Sequence, residues 1–316
     1  MAGAAWTGSQ EPTRKAKMTM KGNALGAALV GAALALGAQA QAADMIGNCE
    51  LYGMKGEASI TPAIPGQLTV EVNLPAPGFW NGDTPESIKD GFEYCLAANI
   101  AHRVGLAQLE VVNVAWPGTA AGASFWDAIL GAQDLAFDLA LSEISITPER
   151  AQQVAFSVPY YRTDIGVMAK AGRELDLGNP RALRIGVQAG TTGALFVDTQ
   201  LRPERPARKF GDAPSMFTAL QSGVIDVAMT DTAILLSQAA DSGGRFTVVG
   251  QFATGERYGA VYPPNSPNAA ILDQVVQTLI DDGTVAQLTA TWLASVWGQD
   301  PAKVPYLPLA APQPGG

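Results

Sequence analysis

The sequence predicts an α/β fold, and two observations support this prediction. Short apolar segments typical of strands alternate with segments of helical periodicity along most of the chain, and several strands run into small or polar residues. With 316 residues and 47% hydrophobic content, the chain can bury one large core or two medium ones. A globular protein of alternating strands and helices is therefore expected.

The first 42 residues differ from the rest and are typical of a secretory signal peptide. Four basic residues precede an uncharged stretch, residues 24–36, which runs into the motif AQAQA. About 13 apolar residues are too few to span a bilayer, which needs roughly 20. We expect cleavage after Ala40 or Ala42.

The charge and the histidine count exclude several classes of function. Without residues 1–42 the chain has 16 basic and 28 acidic residues, a net charge of −12. Such an acidic domain is a poor candidate for binding nucleic acid or an anionic membrane. His102 is the single histidine, and the two cysteines do not have metal-ligand spacing, so the sequence predicts no metal and no other cofactor.

Both cysteines, Cys49 and Cys95, lie beyond the signal peptide. An even number in an oxidising compartment favours a disulfide, which in the chain-entropy model stabilises a loop of this length by roughly 4 kcal/mol. Two buried free thiols are the alternative. Residues 43–66 have no clear period and are expected to form an irregular extension that Cys49 pins to the domain.

The first regular elements are a strand at residues 68–72 and a helix that begins near Phe92. Between them the loop LPAPGFWNGD is kept irregular by its prolines and glycine, which leaves Phe79 and Trp80 on a stiff segment. The helix carries an apolar residue at every fourth position and ends at Gly105. Asp90 and Glu93 resemble a capping box at its start.

A strand at residues 109–114, a short helix at 125–133 and a strand at 137–141 lead to the segment ALSEISITPERAQQVAFSVPYY. Within it Thr147 and Pro148 suit the N-cap and the first position of a new helix. Arg150 then lies in a first turn, the wrong end of the helix dipole for a cation. A role other than helix stability is one explanation, and a solvated surface arginine is the other.

The second half repeats the strand and helix alternation. A strand at residues 184–187 ends in QAGTTG before a helix, an arrangement that presents backbone N–H groups to an anion, although the lysine of a nucleotide loop is missing. A buried strand then ends at Asp231, the place where ligands bind in open α/β sheets. Asp231 can alternatively cap the following helix.

The remaining elements are a strand at residues 246–249, a return crossing at 258–267, and helices at 268–281 and 284–297. Residues 299–316 are rich in proline and are expected to be disordered.

Six segments between residues 66 and 297 resemble, in their order, the periplasmic amino-acid-binding proteins of ABC importers, bacterial solute-binding protein family 3. Among these segments are SEISITPER with VAFSVPYY, the turn GTTG and the run LIDDGT. The resemblance implies a type II periplasmic binding protein of two lobes, each a mixed sheet flanked by helices, with the ligand cleft between them. Lobe 1 would comprise residues 67–162 and 256–298, and lobe 2 residues 163–255. Hinges are expected at residues 161–166 and 251–259.

The resemblance also implies a binding site for a zwitterion. Arg150 would clamp the ligand's α-carboxylate, and Thr192, in a turn with Gly190 and Thr191, would bind the same group. The residues expected to hold the ammonium group are Asp231, Ser142 and Ser145. Since the two halves of this clamp would lie on different lobes, ligand binding would close the hinge.

Aromatic side chains would complete the site. The resemblance makes Phe79 and Trp80 a wall of the pocket, although both rings can equally fill the core of their own lobe. Phe125 would pack on the ligand's side chain, and the neighbouring Trp126 could do so instead.

Glu143 is a departure from the family pattern, which commonly has serine or glycine at this position. An additional carboxylate beside the ammonium site would favour a ligand with a second positive group, or else it points to solvent. We therefore expect a preference for polar or cationic amino acids.

The resemblance implies a monomeric, periplasmic protein that delivers an amino acid to an ABC permease of the inner membrane and is not an enzyme. Two alternatives remain open. Some dehydratases of cyclic amino or keto acids share this fold, and Glu143 could act there as a general acid or base. A ligand sensor that presents its closed state to a receptor is the other.

Overall fold

A computed structural model describes residues 45–116, 125–130 and 136–309. The proposed signal peptide and the side chain of Phe125 lie outside what it describes. The strands are β1 (Met45–Ile46), β2 (Cys49–Glu50), β3 (Gln67–Val72), β4 (Gln108–Asn113), β5 (Leu139–Ala140), β6 (Ala155–Phe156), β7 (Tyr161–Lys170), β8 (Ile185–Gln188), β9 (Arg208–Phe210), β10 (Val227–Asp231), β11 (Phe246–Tyr258) and β12 (Val261–Tyr262).

The helices follow the predicted alternation with the strands. They are α1 (Phe92–Arg103), α2 (Phe125–Ile129), α3 (Pro148–Ala151), α4 (Thr192–Phe196), α5 (Ala213–Gln221), α6 (Thr232–Asp241), α7 (Ala269–Asp281) and α8 (Thr284–Thr289). Among the described residues, no helix combines the length and the apolar character that crossing a membrane requires.

Two five-stranded mixed sheets form the framework. The first has the order β4-β3-β5-β12-β6, in which β3 is parallel to both of its neighbours and β12 is antiparallel to β5 and β6. The second has the order β11-β7-β10-β8-β9, with β8 parallel to β9 and β10 and with β7 antiparallel to β10 and β11. Parallel strands need crossover helices, which explains the alternation seen in the sequence.

The long strands β7 and β11 connect the two sheets. Tyr258 pairs with Tyr161 in this ladder and also makes a bridge to Ser145, beyond the end of the first sheet. The register shifts between Phe252 and Glu256, so the pairing is interrupted where the chain passes from one sheet to the other. These segments include the residues predicted to act as hinges.

The N-terminal extension is largely irregular, as expected, apart from the hairpin β1–β2. A disulfide joins Cys49 to Cys95 in α1, so the predicted pairing is confirmed. Both cysteines are buried in the main core cluster. The bond therefore holds the hairpin against the helix that carries the predicted apolar stripe.

The prediction of a capping box at the start of α1 is wrong. Gly91, at φ 121°, takes the N-cap position without a side-chain hydrogen bond. Asp90 instead accepts hydrogen bonds from the side-chain amides of Asn48 and Asn81, at 2.7 and 2.8 Å. Glu93 turns into the core, where its partners are groups distant in sequence. The sequence pattern is local, whereas these contacts arise only in the folded chain.

The expectation of a disordered tail is also wrong for residues 299–309. Val304 is 2% exposed, and the side chain of Gln251 donates to its carbonyl at 3.0 Å. Tyr306 bridges to Gln251 on the outer edge of β11 and donates to Asp164 at 2.8 Å. The open edge of the second sheet provides backbone hydrogen-bond partners for this proline-rich segment, which keep it ordered. Residues 310–316 lie outside the described part.

Candidate ligand-binding site

A cavity of about 90 Å³ lies between the two sheets, several times the roughly 10–15 Å³ that one water molecule needs. The ends of strands in both sheets and the loop after β3 supply its walls. Its lining residues are Asn73, Pro75, Ala76, Pro77, Phe79, Trp116, Ser142, Glu143, Ser145, Arg150, Gln188, Thr191, Thr192, Ala213, Pro214, Phe217, Thr230, Asp231, Ile234 and Gln238.

The segment after β5 supplies three predicted residues, Ser142, Glu143 and Ser145. Glu143 has the left-handed conformation, with φ 47°, which is costly for a residue with a side chain. Its backbone N–H donates to Glu93 Oε1 at 3.0 Å, so a buried carboxylate fixes this turn. The turn directs the three polar residues to the cavity rather than continuing the strand.

Arg150 lies where α3 begins, as predicted. Thr147 Oγ1 accepts from the backbone N–H of Arg150 at 3.2 Å, and Pro148 occupies the first helical turn. The guanidinium turns back from the helix. Its Nη1 donates to the carbonyl of Ser145 at 2.8 Å and its Nη2 to that of Gly190 at 3.3 Å. The side chain therefore joins the first sheet's loop to the turn after β8.

The guanidinium also lies over an aromatic face, with its central carbon 5.1 Å from the centroid of the Trp126 ring. Burial lowers the pKa of Arg150, while the negative charges of Asp231 and Glu256 oppose that change. These surroundings contradict a fully solvated surface arginine.

The turn QAGTTG caps α4 with Thr191, whose Oγ1 accepts from the backbone N–H of Ala194 at 3.1 Å. Thr192 follows at the first helical position, and its hydroxyl donates to Glu256 Oε2 at 2.7 Å. Both threonines line the cavity, whereas Gly190 contributes its carbonyl to Arg150.

Asp231 lies at the carboxyl end of β10, and its side chain makes no cap hydrogen bond to α6. Instead, the hydroxyl of Tyr258 donates to Asp231 Oδ2 at 2.7 Å. Burial, together with the nearby Glu256, raises the pKa of Asp231 to about 7. The Asp231 side chain therefore does not cap α6, because its carboxylate faces the cavity.

The two aromatic residues of the first loop have different positions. Phe79 lines the cavity and packs edge-on against Phe92, Tyr161 and Tyr258. Trp80 does not reach it. That side chain is fully buried, and its Nε1 donates to Glu93 Oε2 at 2.9 Å. Trp80 lines a second, neighbouring cavity instead of this one.

Sequence reasoning missed Glu93, Trp116, Glu256 and Tyr258. Glu93 accepts from the Trp80 indole, the Tyr160 hydroxyl and the Glu143 backbone, so it supports the site from behind. Glu256 lies in the predicted hinge. A charged residue in a strand that crosses between the sheets could have indicated a site residue. Glu93 resembled a capping residue in the sequence. The neighbouring residues gave no indication that its side chain is buried in the core.

The site has an excess of negative charge. Burial raises the pKa of Glu143 well above its usual range, and the charges of Glu93 and Asp231 add to this effect. Burial likewise raises the pKa of Glu93 to about 7. Among the described lining residues Arg150 is the single cation, and the charges of Asp231 and Glu256 act on it. Carboxyl groups held in this way favour a ligand that brings positive charge.

The cleft continues beyond the first cavity. A second cavity of about 430 Å³ shares with it Pro75, Pro77, Pro214, Phe217 and Gln238. Its farther walls include the acidic residues Asp83 and Asp241 and the cation Arg245. The site is therefore long enough to extend from the polar groups around Asp231 toward a second charged region.

Comparisons with known proteins agree on one family. The family model for bacterial extracellular solute-binding proteins, family 3, matches residues 68–295, more than two thirds of the chain. The ABC transporter arginine-binding protein 1 of Escherichia coli (strain K12) is 29% identical over 162 residues, covering 49% of this chain and 66% of the relative. The chain thus spans just under two thirds of that relative's length.

Two further proteins match over different extents. A Neisseria gonorrhoeae protein named "Probable histidine-binding protein" is 25% identical over 256 residues, covering 78% of this chain and 91% of the relative. The cyclohexadienyl dehydratase of Pseudomonas aeruginosa is 30% identical over 156 residues, covering 47% of this chain and 53% of the enzyme. Binding proteins and an enzyme are therefore both among the relatives.

Among solved structures, an ancestral arginine-binding protein bound to arginine is similar, with a TM-score of 0.60 and 26% identity. The match covers 72% of this chain and 98% of that structure. The family match agrees with the observed fold, in which a cleft lies between two mixed sheets. The chain belongs to the bacterial extracellular solute-binding proteins, family 3.

Proposed function

We propose that this protein captures an α-amino acid with a cationic or polar side chain and delivers it to an ABC permease. The observation that supports this function best is that Arg150 and Asp231, attached to different sheets, line one buried cavity. A guanidinium and a carboxylate in such a place can pair with the two charged ends of a zwitterion. Relatives named for arginine and histidine binding support the ligand class.

The roles of the remaining groups follow from their chemistry. Thr191, Thr192 and Arg150 supply donors for a carboxylate, while Asp231, Ser142 and Ser145 supply acceptors for an ammonium group. Glu143 and the acidic wall of the second cavity would attract a positive side chain. We place lobe 1 at residues 67–162 and 256–298 and lobe 2 at residues 163–255, with export directed by residues 1–42 and a monomer as the functional unit.

Calorimetry with arginine, glutamine, glutamate and leucine tests the ligand class. We expect arginine or glutamine to bind tightest, because glutamate would add a carboxylate to an acidic site and leucine would leave its charges unpaired. Tightest binding of leucine or glutamate would contradict the proposed preference. Failure of all common amino acids to bind would contradict the function itself.

The substitution Arg150→Ala tests the carboxylate clamp. At a ligand concentration about 100 times Kd, the wild type should gain roughly 2.7 kcal/mol of stability, and the variant should gain almost none. The ligand-free variant should melt within a few degrees of the wild type, because the lost hydrogen bonds go to backbone carbonyls. Arg205→Ala, which changes an exposed arginine, is the matched control. A large loss of ligand-free stability would instead indicate a structural role.

A second candidate function is a dehydratase of cyclic amino or keto acids. Burial raises the pKa of Glu143 well above its usual range, which suits a general acid, and the dehydratase relative supports this possibility. Incubation with arogenate and prephenate, followed by spectroscopic detection of the aromatic product, separates the two functions. Turnover that Glu143→Gln abolishes would establish the enzyme, and absence of turnover in a protein that binds arginine would exclude it.

A further inference from the structure

Glu256 contacts two residues to which the proposed function assigns the charged ends of the ligand, Thr192 for the carboxylate and Ser145 for the ammonium group. One of its oxygens, Oε2, accepts from the hydroxyl of Ser145 at 2.6 Å and from that of Thr192 at 2.7 Å. The two donors belong to segments attached to different sheets. The negative charge of Glu256 also favours the charged form of Arg150. A carboxylate oxygen with two hydroxyl donors beside a buried guanidinium is a formed anion site.

A ligand carboxylate that binds Thr192 would meet the carboxylate of Glu256 there. Two like charges that share one set of donors repel each other strongly in a buried site, and the donors can serve only one of them fully. A ligand carboxylate must therefore displace Glu256 from Thr192. A ligand without a carboxylate has no such requirement.

The backbone around Glu256 allows such a displacement. Asp164 Oδ1 accepts from the backbone N–H groups of Thr254 and Gly255, both at 2.8 Å, and so anchors the chain immediately before Glu256. Gly255 has φ 66°, and the regular pairing of β11 with β7 is interrupted there. The Glu256 side chain is partly exposed, so it can rotate toward solvent while the backbone stays in place.

We propose that Glu256 is a built-in competitor for the α-carboxylate of the ligand and thereby sets affinity and selectivity. In the ligand-free protein its side chain satisfies the hydroxyls of Ser145 and Thr192 and links the two sides of the cleft. Binding of an amino acid exchanges this internal carboxylate for that of the ligand. The inference rests on the proposed function and adds a residue that weakens binding rather than strengthening it.

The substitution Glu256→Ala tests the competition. Calorimetry should show arginine binding about 10- to 100-fold tighter than in the wild type, the equivalent of one or two charge-assisted hydrogen bonds that no longer have to be displaced. Glu256→Gln, whose amide oxygen still accepts from the hydroxyls but carries no charge, should give a smaller gain. Circular dichroism establishes that each variant is folded.

Two controls separate competition from other effects. Glu149→Ala removes an exposed negative charge close to Arg150 in sequence and should leave arginine affinity within about twofold of the wild type, since exposed charges are screened. Agmatine, which is arginine without its carboxylate, should bind Glu256→Ala no more tightly than it binds the wild type.

The outcomes distinguish this inference from the function on which it rests. An unchanged or weakened affinity of folded Glu256→Ala for arginine would overturn the competitor role. An equal gain for agmatine and arginine would also overturn it, because the effect would then not depend on the carboxylate. Absence of amino-acid binding in both the wild type and the variant would overturn the proposed function itself.

Discussion

At the scale of single residues, the site is a set of buried carboxyl groups arranged around one guanidinium. Asp231 accepts from Tyr258, Glu93 supports the turn at Glu143, and Arg150 binds two backbone carbonyls. Glu93 and Asp231 accept hydrogen bonds from groups distant in sequence. Their protonation therefore controls how much positive charge the cleft can accept.

The affinity for arginine should depend on pH through Asp231. Its pKa is raised to about 7 by burial and by Glu256, so below that pH a proton occupies the group that would pair with the ligand's ammonium. The association constant should therefore rise with pH by up to about tenfold per unit below pH 7 and level off above it. Calorimetry from about pH 5.5 to about pH 8 measures this slope.

Asp231→Asn supplies the control for that prediction. The variant should bind arginine weakly and with a much smaller pH dependence, because the amide does not titrate. A slope that persists unchanged in Asp231→Asn would assign the titration to Glu143 or Glu93 instead.

At the scale of elements, local sequence signals were reliable where the relevant contacts are themselves local. Thr147 caps α3 as predicted, because a cap needs only the next three residues. The capping box of α1 and the disorder of residues 299–309 were predicted wrongly, because the partners of these residues are remote in sequence. Asp90 binds Asn48 and Asn81, and the tail lies along the edge of β11.

Deletion of residues 301–316 should destabilise the protein. The described part of this segment buries Val304 and packs Leu307 against Gly250, and it satisfies the side-chain amide of Gln251. Losing one buried valine and a partly buried leucine should cost roughly 2–4 kcal/mol of unfolding free energy. Urea unfolding measures the change.

Tyr306→Phe is the matched substitution within the tail. Its ring is 60% exposed and the change removes a single hydrogen bond to Asp164, so the loss should stay below about 1 kcal/mol. If the deletion costs no more than this substitution, the tail contributes little to the folded state.

At the scale of the whole molecule, two mixed sheets are connected by the β7–β11 ladder, and the functional groups collect where their strands end. This placement agrees with the general behaviour of open α/β sheets. The fold also tolerates a buried acid that lies outside the site. Glu71 in β3 is fully buried, and neither of its carboxyl oxygens has a hydrogen-bond partner among the described residues.

The free energy of unfolding should fall as pH rises through the neutral range. Burial raises the pKa of Glu71 to about 8, so between its ordinary pKa of about 4.5 and this value the folded state retains a proton that the unfolded chain releases. Stability is therefore highest near the lower end of this range and declines toward pH 8, by on the order of 4 kcal/mol at about 1.4 kcal/mol per pKa unit.

Urea unfolding of the wild type and Glu71→Gln at about pH 5 and about pH 8 measures this effect. The variant should show a smaller decline, because the remaining buried acids still titrate. Glu110→Gln, an exposed glutamate on the neighbouring strand, should retain the full slope. Equal slopes in all three proteins would show that Glu71 does not control the pH dependence.

The sequence by itself determined the fold class, the family resemblance and the principal charged and hydroxyl residues around the cavity, and it favoured a disulfide between the two cysteines. These features depend on short-range signals such as apolar periodicity, caps and turns, and on the order of recognisable segments. Arg150, Thr192 and Asp231 could thus be selected without coordinates.

Only the tertiary structure decided which neighbour of a pair lines the first cavity and which remote carboxylate contacts its hydroxyl groups. Phe79 lines the first cavity, whereas the adjacent Trp80 lines only the second and donates to Glu93 of α1. Glu256 reaches Ser145 and Thr192 across more than 60 positions of sequence. Such contacts are created when separate strands are brought together, and no local pattern in the chain encodes them.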